Sequence, residues 1–174
     1  MKIGIISDTH DRAERTAKAV AAMVAAGAEA LIHCGDVTGP AVVRKCGGLP
    51  TYFVYGNNDY DQDALGRAIR TIGGQILGRG GWIELGGRRI AVTHGDLIGE
   101  IRRVLGSNPD YFLSGHSHLA SDERRGAVRW INPGALHRAP RWTVAVLDLT
   151  SDHLQFLDVL DDEPSRGRPP ADSP

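Results

Sequence analysis

The sequence predicts an α/β fold in which the first half builds a parallel sheet and the second half is β-rich. Three observations carry this expectation. Apolar runs of strand length alternate with runs of helical period up to Asp59. After Asp59 the apolar runs become short and are separated by Gly-rich turns. Five of the apolar runs stop in Asp, His or Asn, four of them beside a glycine, which places ligand-type side chains at strand ends throughout the chain.

Taken in order, Lys2 to Ser7 reads as a buried strand, and Asp11 followed by Glu14 resembles a capping box opening a helix. Ala17, Val20, Ala21 and Val24 continue that helix at the expected spacing until Gly27. Ala30 to His33 is the second strand, Gly39-Pro40 opens a short helix reaching about Cys46, and Pro50 to Tyr55 is the third strand. Such a β-α-β-α-β order is the signature of a parallel sheet, whose ligand sites lie in the crevice at the carboxyl ends of the strands. Beyond Asp59, Ala64 to Ile72 is predicted helical. Gln75 to Leu77, Trp82 to Leu85 and Arg89 to Thr93 are predicted strands, with Gly86-Gly87 as a hairpin turn. Ile98 to Leu105 reads as a helix, Tyr111 to Ser114 as a strand, and Val128 to Ile131, Thr143 to Asp148 and Gln155 to Leu160 as further strands. The chain divides into a single domain over residues 1–160 and a Pro-, Asp-, Ser- and Arg-rich stretch over 161–174 expected to be a mobile tail.

Composition narrows the function. The 174 residues suit one domain, and the 41% hydrophobic and 24% charged content is that of a soluble globular protein. A net charge of -1 gives no electrostatic reason for nucleic acid as a partner. Cys34 and Cys46 stand far from any C-x-x-C arrangement, which argues against a disulfide framework or a thiolate zinc site. Ile3-Gly4-Ile5-Ile6 is too short for a signal-peptide core, and no apolar run approaches a membrane span, so a cytoplasmic location is expected.

The candidate ligands are Asp8, His10, Asp36, Asn57, His94, His116 and His118. This oxygen and nitrogen set suits manganese, iron or zinc, and it is too large for one tetrahedral ion, whereas two ions would use all of it. Paired ions about 3.5–4 Å apart activate a hydroxide and clamp the attacking and leaving oxygens of an in-line displacement at phosphorus.

In their order and character, D-x-H at Asp8 to His10, G-D at Gly35-Asp36, G-N-x-D at Gly56 to Asp59, His94, and G-H-x-H at Gly115 to His118 resemble the calcineurin-like metallophosphoesterases. Ile131-Asn132-Pro133-Gly134-Ala135 is similar to the I-N-P-G-S segment of the small single-domain prokaryotic phosphodiesterase branch. The resemblance covers residues 1 to 160 and implies a four-layer α-β-β-α sandwich, two mixed sheets flanked by helices. It implies that Asp8, His10 and His118 hold one metal, that Asn57, His94 and His116 hold a second, and that Asp36 bridges them. The implied cofactors are two divalent ions, manganese foremost with iron, zinc or nickel as alternatives. The implied activity is hydrolysis of a small phosphoester substrate, with Asp36, Asn58, His94 and His116 as the residues closest to the chemistry; a homo-oligomer is compatible with all of this.

Position 58 departs from the wider family, where G-N-H-D or G-N-H-E is common. The amide of Asn58 donates a hydrogen bond but delivers no proton at neutral pH, which favours diesters or activated aryl esters over alkyl monoesters. Ala135 replaces the usual Ser. His33 reads as a core residue or a support for the ligands, Cys34 as an inert buried thiol, and His153 as solvated. Asp59 and Asp96 read as carboxylates supporting ligands, with helix capping as the alternative for Asp96. Arg138 and Arg141 are either substrate contacts or solvated charges. Two rival functions are a phosphomonoesterase or nucleotidase, distinguished by residue 58, and a protein-binding scaffold of the same fold, as in a retromer subunit, distinguished by loss of ligand histidines.

Overall fold

Strand β1 (Lys2–Ile6) is covered on both faces, and its alternation shows how the layers form. In the computed structural model, which describes residues 1–160, Ile3 and Ile5 point between two sheets while Ile6 points toward helices. The tail expected at 161–174 lies outside the described residues.

The chain continues through α1 (Ala13–Ala25), β2 (Ala30–His33), α2 (Pro40–Lys45), β3 (Thr51–Phe53), α3 (Gln62–Thr71) and β4 (Gln75–Ile76). Strands β1 to β4 are mutually parallel. Two later strands, β10 (Thr143–Asp148) and β11 (His153–Asp158), add antiparallel to the free side of β1, giving the order β11-β10-β1-β2-β3-β4. The second sheet is built from β5 (Gly80–Leu85), β6 (Arg88–Thr93), β7 (Tyr111–Leu113), β8 (Ser121–Arg125) and β9 (Val128–Asn132), in the order β5-β6-β7-β9-β8. Within it β6, β7 and β9 are parallel and the two edges antiparallel, so both sheets are mixed. Helix α4 (Ile98–Leu105) follows β6.

Three cores separate these layers. Ile3, Ile5 and Ile32 of the first sheet meet Val92, Leu113 and Ile131 of the second. Leu31, Val144 and Val146 face Met23, Val43 and Leu65 of the first three helices. Ala91 and Phe112 face Val104 of α4. Each such Ile or Leu contributes roughly 1.5–3 kcal/mol by leaving water, and period-two alternation lets one strand serve two cores. The result is the expected four-layer α-β-β-α sandwich.

Two local features differ from expectation. The capping box at Asp11 and Glu14 does not form: the N-cap of α1 is Arg12, with no side-chain cap, because Asp11 is held at φ 59° at the end of the preceding turn. Strand β8 had no counterpart in the sequence reading, since Ser121-Asp122-Glu123-Arg124-Arg125 is exposed at every position and shows no apolar period. It forms by pairing with β9, where Arg129 meets Asp122 at 2.7 Å and Arg125 lies 4.1 Å over the Trp130 ring. A charged edge of this kind also discourages pairing with other chains.

Candidate metal centre

Parallel strands deliver their carboxyl ends to one edge, and both sheets have parallel strands at their middle. The loops after β1, β2, β3, β6 and β7 therefore meet, each carrying one of the sequence motifs. Backbone hydrogen bonds fasten them: Asp8 N donates to Gly35 O at 3.0 Å, His10 N to Asp36 O at 3.1 Å, and Gly115 N to His94 O at 2.9 Å.

The turns are sharp. Asp8, His10, Asp36, His116 and His118 all have positive φ, between 40° and 68°. Such angles are uncommon outside glycine and cluster at functional sites, where surrounding contacts hold the strain. Close approach adds a demand for glycine at Gly56, where a Cβ would overlap Asp36 Oδ1 and the Asp36 backbone nitrogen, and at Gly115, where it would overlap Ser7 Oγ.

Five of the expected ligands converge through their side chains. Asp8, His10 and His118 form one cluster, and Asp8, Asp36 and His94 form another, so Asp8 faces both. Asp36 Oδ2 lies 3.3 Å from His10 Nε2 and 3.4 Å from His94 Nε2, placing one carboxylate oxygen between histidines of the two expected ion sets. Asp8 Oδ1 lies 3.1 Å from His118 Nε2 and 3.9 Å from His94 Nε2. His116 is exposed, with its ring 5.1 Å from that of His94 and its backbone N–H donating to Asp8 Oδ2 at 3.0 Å. Asn57 is exposed on the wall of a cavity shared with His10, Asp36, Asn58, His116, His118, His137 and Arg138.

These residues fit a metal. Asp8 Oδ1, His10 Nε2 and His94 Nε2 are buried polar atoms without hydrogen-bond partners, although burying such a group unsatisfied costs about 1–3 kcal/mol. The opposite nitrogens of His94 and His118 are engaged: His94 Nδ1 faces Cys34 O at 2.9 Å and His118 Nδ1 faces Arg138 O at 3.3 Å. A carbonyl accepts only, so each Nδ1 carries the proton and each Nε2 keeps its lone pair for a cation. Burial pushes the Asp36 carboxyl up, but the His10 and His94 imidazoles beside it and the two hydrogen bonds from Asn58 outweigh it and hold the group well below the usual carboxylate range.

Further residues hold the loops that carry the motifs. Asp59 accepts three backbone protons, from Asp36 N at 3.0 Å, Gly56 N at 2.7 Å and Thr38 N at 2.7 Å, tying the β2 and β3 loops together. His33 is buried and stacked on Phe53; Gly35 N donates to its Nδ1 at 3.2 Å, and its Nε2 lies 3.1 Å from Thr9 Oγ1. Burial drives its pKa down to about 3, so it supports the loop as a neutral ring. Cys34 is buried and contributes its carbonyl to His94 while burial pushes its thiol up. Asp96 pairs with Arg79, whose Nη1 also donates to Gly56 O at 2.7 Å; the cap of α4 is Leu97, so Asp96 braces loops and caps nothing. Arg141 is held by Asp158 at 2.6 Å, away from the cavity, whereas Arg138 lines it.

Two residues of this neighbourhood escaped the sequence reading. Arg79 gives no signal because it sits in a polar turn before β5. His137 was detectable in principle: it follows Asn132-Pro133-Gly134, another strand end with a glycine turn. Asn132 anchors that turn, donating from Nδ2 to Gly115 O at 2.8 Å and to Ser117 Oγ at 3.0 Å.

Two packed mixed sheets with a strand-end cluster of unpaired Asp and His atoms define a metallophosphoesterase. Residues 1–152 match the calcineurin-like phosphoesterase superfamily domain, and the chain belongs to that superfamily of phosphoric ester hydrolases, which use divalent metals. Among its relatives, a phosphodiesterase of Methanocaldococcus jannaschii is 31% identical over 138 residues, covering 77% of this chain and 83% of the relative. The solved structure of an archaeal phosphodiesterase superposes with a TM-score of 0.82 at 27% identity, covering 91% of this chain and 99% of that one. Vps29 from Entamoeba histolytica, solved as a single mutant, shares the fold with a TM-score of 0.63 at 15% identity over 91% of this chain and 99% of its own.

Proposed function

We propose that this protein is a two-metal phosphodiesterase acting on a small diester. The observation that carries the reading is the position of Asp36 Oδ2, 3.3 Å from His10 Nε2 and 3.4 Å from His94 Nε2, where one carboxylate can serve two cations. Asp8, His10 and His118 would hold one ion, Asn57, His94 and His116 the other, and Asp36 both. Asp8 Oδ1, 3.9 Å from His94 Nε2, is the next candidate for a shared ligand. Ions bound there would supply Lewis acidity toward phosphoryl oxygens and lower the pKa of water. Manganese suits a mixed imidazole and carboxylate set, with iron, zinc or nickel as alternatives; magnesium prefers oxygen ligands and holds its waters.

The chain's own residues orient the proposed shared carboxylate. Asn58 donates from Nδ2 to Asp36 Oδ2 at 2.7 Å and from its backbone N to Asp36 Oδ1 at 2.9 Å, fixing the carboxylate plane. Tyr60 Oη donates to Asn58 Oδ1 at 3.3 Å, so the amide is held at both ends. With an amide there and no imidazole, proton donation to a poor leaving group is weak, which favours diesters with good leaving groups over alkyl monoesters. No helix among the described residues is long and apolar enough to cross a membrane, and we place the protein in the cytoplasm on its unpaired, buried cysteines.

Manganese-loaded protein should hydrolyse a bis-aryl phosphate with a higher kcat/KM than the matching mono-aryl phosphate, and chelation should abolish both activities. A panel extended to cyclic nucleotides and nucleotides, read before and after chelation and manganese return, tests this. Preference for the monoester would favour the phosphomonoesterase reading, and no turnover of any ester with both ions bound would favour a scaffold.

A further inference from the structure

The loop after β9 brings to the cavity a histidine that neither expected ion set uses. His137 lines the same cavity as His10, Asp36, Asn58 and His118, and its ring centroid lies 4.8 Å from that of His10. Its segment is fastened on both sides. Arg15 Nη1 donates to Leu136 O at 2.6 Å, and Leu136 N donates to Asp8 O at 3.2 Å. The neighbouring Arg138 carbonyl accepts from His118 Nδ1 at 3.3 Å. The loops carrying three expected ligands therefore set where His137 sits.

Arg12 sets its tautomer. Arg12 Nε lies 3.3 Å from His137 Nδ1. A guanidinium only donates, so the ring nitrogen facing it accepts, and the proton of a neutral imidazole is on the other nitrogen. His137 thus keeps one N–H donor for the cavity it lines, beside an Asn58 amide that already gives one of its two N–H groups to Asp36 at 2.7 Å.

We propose that His137 is a substrate-binding residue that donates its Nε2–H to a non-bridging phosphoryl oxygen, with Arg12 as the positioning residue that fixes the donor. The inference rests on the phosphoesterase reading and names the side chain that grips the phosphoryl group beside the ions. A hydrogen bond to a charged acceptor of this kind corresponds to roughly tenfold to 100-fold in affinity.

The test compares wild type, His137→Phe, which keeps a ring against His10 without a donor, and His137→Gln, which restores an N–H. Each is loaded with manganese, its metal content is measured, and its affinity for inorganic phosphate is determined by calorimetry beside kcat/KM for a bis-aryl phosphate. The expected result is unchanged metal content in all three, phosphate affinity roughly tenfold or more weaker in His137→Phe, and most of it recovered in His137→Gln. Wild-type phosphate affinity in His137→Phe, equal losses in both variants, or loss of metal from either would overturn the donor role. If wild type turns over esters while His137→Phe matches it, only this inference fails; if metal-loaded wild type neither binds phosphate nor cleaves any ester, the phosphoesterase reading fails with it.

Discussion

Asp36→Ala is expected to abolish turnover while leaving the protein folded. The carboxylate is 2% exposed and holds its Oδ2 between two histidine nitrogens, yet it belongs to none of the apolar cores. Its loss removes the group proposed to serve both cations, so kcat should fall by more than the roughly 10–100-fold that follows loss of a ligand's supporting partner. The loops keep most of their fastening, because Asp59 still accepts from the backbone of residue 36, Gly56 and Thr38. Far-UV circular dichroism and cooperative thermal unfolding should remain as in wild type while activity on an aryl diester disappears. Retention of most activity by Asp36→Ala would show that the site has been assigned to the wrong residues within a correct fold.

The second large effect is expected at Asn58. A diester carries one negative charge and, with a good leaving group, needs little help from an acid, whereas a monoester is more highly charged and gains more from a proton donor. A positioned general acid is typically worth about 10²–10⁴-fold. Asn58 is partly exposed at the cavity wall, so an imidazole fits there without repacking a core. Asn58→His should therefore shift the kcat/KM ratio toward monoesters, measured on bis-aryl and mono-aryl phosphates at one manganese concentration. An unchanged ratio would mean that residue 58 does not set the ester preference.

Much of this architecture was legible because buried parallel strands write themselves as apolar runs, and the residues where those runs stop are the ones the sheet delivers to its edge. Ile3 to Ile6 before Asp8, and Ile90 to Val92 before His94, are of this kind. Strand β8 was illegible for the opposite reason: all five of its residues are exposed and only the partner strand makes it a strand. Asp11 misled because its side chain suits a helix cap while its backbone is committed to the turn that positions His10. Local sequence could reveal that Asp8 and Asp36 are ligand types, but not that Asp8 faces both clusters, which depends on Asp8 and His94 coming from different sheets. Arg79 braces loops far apart in the chain, where no spacing rule reaches, whereas His137 follows a strand end with a glycine turn and carried a signal of the same kind as the other motifs.

The proposed mechanism requires two cations that share Asp36. Metal analysis of the manganese-saturated protein, combined with anomalous diffraction at the manganese edge, reads it directly. Two ions per chain are expected, about 3.5–4 Å apart, with a carboxylate oxygen of Asp36 between them. A single ion at saturation, or two ions well beyond that separation with Asp36 bound to only one, would contradict it.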